Sequence, residues 1–181
     1  MKKQEAVLGS EGSKKKNSVR GGYRVGDVVV YPAHGVGSIT DVEDAVFDGV
    51  SMQFYVIDFS CEHMTLRVPV KGAKTLGLRR LSSKDRIQKA LYILRDPPQS
   101  KRAMWSRRAQ EYESKIQSGD PMSIAEVLRD LSRRGEEGEP SYSEKQIYQT
   151  ALNRLAREYA AVEKVGEDHA MQEVEKLIKA A

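Results

Sequence analysis

The chain has 181 residues, 39% of them hydrophobic and 31% charged, with a formal net charge of +4 and one cysteine. That composition suits one or two small soluble domains and excludes a disulfide-stapled scaffold, and no apolar run reaches membrane-spanning length. The basic surplus is uneven: residues 1–20 carry +4, 21–80 carry −1, 81–134 carry +5 and 135–181 carry −4. A polyanionic partner is therefore expected to meet the first twenty residues or the region around Trp105, and not the acidic C-terminal part.

Residues 1–20, with Lys14, Lys15 and Lys16 among glycines and serines, hold too little apolar content to order themselves and are expected to form a disordered basic tail. This start has no hydrophobic segment, so neither a secretory signal nor a spanning helix is expected, and a cytoplasmic location follows. From Tyr23 the pattern has period two. Val28 and Val30 alternate, Gly35 and Gly37 interrupt the run, and Ser38 to Val42 resumes it. Two further strands are predicted over Met52–Phe59 and Met64–Val70, the first introduced by the turn dipeptide Asp48-Gly49. Four or five short strands between residues 21 and 80 suggest a small β-barrel. The opening Val25-Gly26-Asp27-Val28 is similar to the start of Tudor-like, SH3-like and ribosomal KOW modules, which bind protein or nucleic acid. In the last strand Arg67 interrupts an apolar run, and Pro69 argues for a sheet edge. Such an edge could receive a strand from another protein, with the arginine adding a charge-assisted contact. Arg67 could equally be an outward-pointing surface residue.

Cys61-Glu62-His63 offers two potential metal ligands, and His34 and His169 show no ligand spacing with them. There is no phosphate loop, nucleophile elbow or paired-histidine motif. The reading is a binding protein, not an enzyme, with no metal or cofactor.

Between Gly77 and Ser83 the periodicity becomes helical, which places the domain boundary there, with a helical domain over 81–181. Ser83 caps a first helix whose Ile87, Ala90, Leu91 and Leu94 share a face, and Asp96-Pro97-Pro98 ends it. The helix around Trp105 is predicted to run to Ser118-Gly119, and Asp120-Pro121 starts the next. That next helix buries Ile124, Val127, Leu128 and Leu131 and leaves Arg129, Arg133 and Arg134 outward or terminal. Ser141 and Glu144 form a capping box for a long helix, with Tyr148, Ala151, Leu152, Leu155, Tyr159 and Val162 inward. A last helix after Gly166 carries Val174, Leu177 and Ile178. Five helices with short connections make a compact bundle.

The stretch Lys101 to Tyr112 holds the only tryptophan and four basic side chains, Lys101, Arg102, Arg107 and Arg108. On a continuous helix Lys101, Trp105, Arg108 and Tyr112 share one stripe, suited to a polyanion with stackable rings. Trp105, Ala109, Tyr112 and Ile116 also make an apolar stripe, which would place the tryptophan in the core.

The order of these parts resembles the CarD/CdnL family of bacterial transcription regulators. The resemblance rests on Val25-Gly-Asp-Val-Val-Val-Tyr-Pro-x-His-Gly35, Leu66-Arg-Val-Pro69, Trp105-Ser-Arg-Arg108, Ser118-Gly-Asp120 and Ala125-Glu-Val-Leu-Arg-Asp-Leu131, and it covers the chain from about residue 23 onward. It implies an α+β chain in which a Tudor-like module over 21–80 binds the RNA polymerase β subunit, similar to the polymerase-binding module of the transcription-repair coupling factor. The helical domain would contact promoter DNA at the upstream edge of the melted bubble and stabilise the open complex. Carried over by position, Trp105 is the minor-groove wedge, Arg107 and Arg108 lie on the DNA backbone, and Arg67, with Pro69, faces polymerase. The chain departs from some members at Gln110, where a lysine is found, and near Ala45, where a second polymerase-facing arginine is found. Lys101 or Arg102 would then supply DNA contacts. A cytoplasmic, nucleoid-associated monomer is expected. The alternative is a free-standing DNA-binding or nucleoid-associated protein with a protein-binding barrel.

Overall fold

The computed structural model describes residues 22–99, 103–132 and 139–180. The tail expected over 1–20, Lys101, Arg102, Arg133 and Arg134 lie outside the described residues. Five strands precede five helices: β1 (Val28–Tyr31), β2 (Gly35–Phe47), β3 (Val50–Phe59), β4 (Met64–Pro69), β5 (Arg79–Arg80), then α1 (Lys84–Ile93), α2 (Trp105–Gln117), α3 (Pro121–Leu131), α4 (Tyr142–Glu163) and α5 (Glu167–Lys179). The class is α+β, as the change of periodicity predicts.

The strands form one antiparallel sheet in the order β4-β3-β2-β1-β5. Its ends are not paired with each other, so the sheet is open where a barrel is expected. The β2–β3 hairpin turns through Asp48 and Gly49, both at positive φ, the conformation a two-residue hairpin needs to match strand twist. The two glycines expected to interrupt the strands instead belong to β2. At Gly37 a Cβ would lie 2.8 Å from both the Ile57 and Phe59 side chains, so the glycine admits the neighbouring strand's side chains and does not break the strand. At Gly35, with φ near +77°, a Cβ would meet Arg154 of α4 at 3.0 Å.

Each layer has its own apolar cluster. The sheet buries Val29, Ile39, Tyr55, Ile57, Phe59 and Val68, and Tyr23 reaches in to donate its hydroxyl to the Leu78 carbonyl at 2.8 Å. Burial pushes the Tyr23 phenol up, against a smaller opposing pull from Arg80. The helices bury Ile87, Leu94, Tyr112, Leu128, Leu152 and Leu155 around α4. Helix starts follow the expected caps: Ser83 accepts from Arg86 N, Asp120 from Ser123 N, and Ser141 and Glu144 close a reciprocal capping box. Arg129 differs from its expected outward position. Its side chain is 8% exposed and pairs with Asp130 at 2.9 Å, because the face of α3 that carries it is covered.

Sheet and helices meet through polar contacts. Arg79 on β5 makes a bidentate pair with Glu158 on α4, Nη1 to Oε1 at 2.7 Å and Nη2 to Oε2 at 2.8 Å, and the Ser82 N–H donates to the same carboxylate. Arg154, one turn earlier on α4, donates to the Pro32 and Ala33 carbonyls in the β1–β2 turn. Burial lowers the Arg154 pKa, and the two carbonyls supply the acceptors that a covered guanidinium needs. On the helix side Lys84 pairs with Glu163 and Arg157 with Glu167.

Glu158 is 4% exposed and Arg79 32%, so removing the arginine strands a buried carboxylate. Arg79→Ala is expected to destabilise the chain by about 2–4 kcal/mol, below the full cost of breaking a completely buried pair because Arg79 is partly solvated. Denaturant unfolding checks this; a loss under about 0.5 kcal/mol would show that the pair is peripheral.

Candidate nucleic-acid and protein interface

Trp105 is the first residue of α2, so the helix begins four residues after Lys101, the start of the expected stripe. Met104 at the N-cap position makes no side-chain cap, and the first turn has no acidic residue. An α-helix leaves its first N–H groups without intrahelical partners and presents partial positive charge there. Here Arg107 and Arg108 add two cations to that same end. Such a start is electrostatically unfavourable alone and suited to an anion.

The side chains on this turn differ. Arg107 is exposed, whereas Trp105 and Arg108 are half-buried. The indole packs against the helical core cluster, and its ring centroid lies 6.4 Å from that of Tyr112, the planes inclined at 53°. Tyr112 is fully buried, so of the two aromatics expected to form a stacking stripe only Trp105 keeps solvent access. The indole is thus neither wholly core nor fully exposed. The Arg108 guanidinium lies 5.6 Å from the Trp105 centroid and 5.8 Å from that of Tyr112, within range of both ring quadrupoles.

Arg67 is on the other module. It stands on β4, the edge strand, with Pro69 as the last residue. Its side chain is 62% exposed and pairs with Glu43 at 2.9 Å, a solvent-exposed pair that contributes little and exchanges readily. Arg67 and Trp105 lie in different layers of the molecule, the sheet edge and the helical domain, and are not brought together.

Cys61, Glu62 and His63 do not converge on a metal-like site. His34 Nδ1 contacts Glu62 at 2.8 Å, and Cys61 Sγ sits 3.4 Å from the Glu167 carboxylate. Burial pushes the Cys61 thiol up against the opposing pull of Arg157, with smaller raising contributions from Glu167 and Glu62, a direction that disfavours the thiolate. Among the described residues no three His, Cys, Asp or Glu side chains are grouped to hold a metal ion, and no helix is long and apolar enough to cross a membrane.

Sequence reasoning missed Arg79, Arg154 and Glu158. A signal was present for the last: Glu158 follows Leu155 by three on the inward face of α4, where a carboxylate needs a buried cation. It also missed Arg86, whose Nη2 lies 2.6 Å from Asp120 at the start of α3. Burial pushes the Asp120 carboxyl up, but the Arg86 guanidinium and the Ser123 N–H and hydroxyl outweigh it and hold it below the usual carboxylate range.

Two domain families match the chain in tandem: the CarD-like/TRCF RID domain over residues 23–82 and the CarD C-terminal domain over residues 89–175. The chain is also similar to "Putative transcription factor YdeB" of Bacillus subtilis (strain 168), with 28% identity over 145 residues, 80% of this chain and 95% of that protein.

Two outcomes follow from these environments. A depressed carboxyl contributes stability that is present above the unfolded pKa of about 3.9 and is lost as pH falls through the lower folded value. Asp120→Asn, which keeps a capping side chain, should therefore flatten the pH dependence of stability below about pH 4; an unchanged acid limb would contradict the assignment. Trp105→Ala should cost about 1–3 kcal/mol, near half the cost for a fully buried tryptophan. A loss above about 4 kcal/mol in thermal or denaturant unfolding would mean that the ring is wholly core.

Proposed function

Because the chain belongs to the CarD/CdnL family of transcription regulators, we propose that it binds the RNA polymerase β subunit through the sheet module, residues 21–80, and promoter DNA through the helical domain, residues 81–181. It stabilises the open complex at initiation, acting in the cytoplasm as a nucleoid-associated monomer and without catalysis or cofactor. The observation that carries this reading is the tandem order of the two matched domains, with the chain's only tryptophan at an uncapped, arginine-bearing helix start in the second.

The edge strand β4 presents Arg67 and Pro69 to polymerase, where backbone pairing supplies affinity and the guanidinium a charge-assisted contact. Trp105 wedges against an unstacked base step at the upstream edge of the bubble. Arg107, with Lys101 and Arg102, meets phosphates, and Arg108 belongs to the same DNA-facing turn. Tethering through the sheet raises the local concentration of the helical domain at the promoter, so the modest basic charge suffices. A wedge that fits only the melted fork shifts the equilibrium toward the melted state by its differential affinity. Selectivity then follows fork shape more than base-edge hydrogen bonds.

Two variants test the two surfaces separately. Arg67→Glu should weaken polymerase retention by the full chain and leave fork-DNA binding intact, since it adds repulsion at the docked edge. Undiminished retention would remove Arg67 from the interface and favour a free-standing DNA-binding protein. Trp105→Ala should reduce the preference for a forked junction over matched duplex by about 5-fold to 150-fold, corresponding to roughly 1–3 kcal/mol of base stacking. An unaltered preference in a folded variant would defeat the wedge assignment.

A further inference from the structure

Within the fork-binding reading proposed above, the two adjacent arginines of α2 have different surroundings. Arg107 is exposed. Arg108 is folded back along the helix, its guanidinium 5.6 Å from the Trp105 ring centroid and 5.8 Å from that of Tyr112. Its Nη2 approaches the Tyr112 hydroxyl at 3.5 Å, a weak contact at best. Its Nε is shielded from solvent and has no hydrogen-bond acceptor among the described residues. An arginine serving as a phosphate ligand should present a solvated, acceptor-free fork to solvent, and leaving a guanidinium N–H buried without an oxygen partner carries a cost. The ring faces offset that cost by cation–π attraction, which strengthens as water is excluded.

We infer that Arg108 is a positioning residue for Trp105: it fixes the half-buried indole between the core and the fork, while the phosphate contact of this turn is made by Arg107. The spacing supports it. Residues 105, 108 and 112 lie on one helix face, so the cation at 108 sits between a fully buried tyrosine and the half-buried tryptophan. Tyr112 anchors the cation from the core side, and the cation in turn restricts the indole. A tryptophan at the first position of an uncapped helix would otherwise sample several rotamers, and a wedge that must be ordered on binding loses affinity to that ordering. Pre-ordering the ring favours the fork without adding a contact to DNA. A guanidinium is suited to this role because it is planar and stacks on rings, which an ammonium does not reproduce.

The single tryptophan makes the inference measurable in the full-length chain. Arg108→Gln, Arg108→Lys and Arg107→Gln are compared with the wild-type protein after thermal unfolding confirms that each is folded. In the absence of DNA, Arg108→Gln should shift Trp105 emission to longer wavelength and raise its acrylamide quenching about 2-fold, as expected for a ring released toward water. Arg108→Lys should recover only part of this change, and Arg107→Gln should leave both signals at their wild-type values. Binding to a forked DNA junction and to matched duplex is then followed across a salt series. Arg107→Gln should lower the salt slope by about 0.9, the loss of one phosphate contact. Arg108→Gln should keep the wild-type slope and reduce the fork-over-duplex preference several-fold. Unchanged Trp105 fluorescence in Arg108→Gln, or a fall in its salt slope equal to that of Arg107→Gln, would overturn the assignment. If the wild-type protein shows no fork preference, the function proposed above fails, and the fluorescence comparison alone decides whether Arg108 positions the ring.

Discussion

A buried carboxylate on the inward face of a long helix needs a partner, and Glu158 finds Arg79 from across the junction between sheet and helices. That requirement ties the last strand of the sheet to the middle of the bundle. The apolar clusters on either side are separate, so the junction is held by directional bonds: the bidentate Arg79–Glu158 pair and the two carbonyls that accept from Arg154. Hydrophobic burial is non-directional, whereas a guanidinium fork meeting a carboxylate fixes an angle as well as a distance. Directional polar side chains therefore take part in fixing the orientation of the two layers.

That orientation matters because the two candidate surfaces lie on different layers. Arg67 and Pro69 sit on the edge strand farthest from β5, while Trp105 opens a helix of the helical cluster. A chain that docks through one surface and acts on DNA through the other gains effective concentration only where the link between them spans the required geometry. In the function proposed above, the polar junction supplies that link. Around the start of α2, Tyr112 lies in the core and Arg108 lies against both its ring and that of the half-buried Trp105.

Periodicity made the local architecture legible. The alternation of valines, the Asp48-Gly49 turn, the caps at Ser83, Asp120 and Ser141 and the inward leucines are set by neighbours within a few residues, and the structure places them accordingly. Gly35 and Gly37 were misread because a glycine that breaks a strand and one that admits a neighbouring side chain look alike in sequence. Only the partners, Arg154 for one and Ile57 and Phe59 for the other, tell them apart. Arg129 is expected outward because a charged residue beside an inward apolar stripe reads as solvated, until the face of α3 is known to be covered. Trp105 could be read either as core or as a wedge because it occupies the boundary between them, and Tyr112 left the candidate surface because burial is a tertiary property. Arg79 and Glu158, 79 residues apart, leave no mark in any local window beyond a charge on an apolar face.

The most direct measurement of the account is the lifetime of promoter open complexes formed by RNA polymerase, with and without this protein, after challenge with a competitor. Preferential binding to the melted fork predicts slower decay in its presence, saturating as the polymerase-bound fraction saturates. A decay rate that stays the same or rises at saturating protein would contradict it.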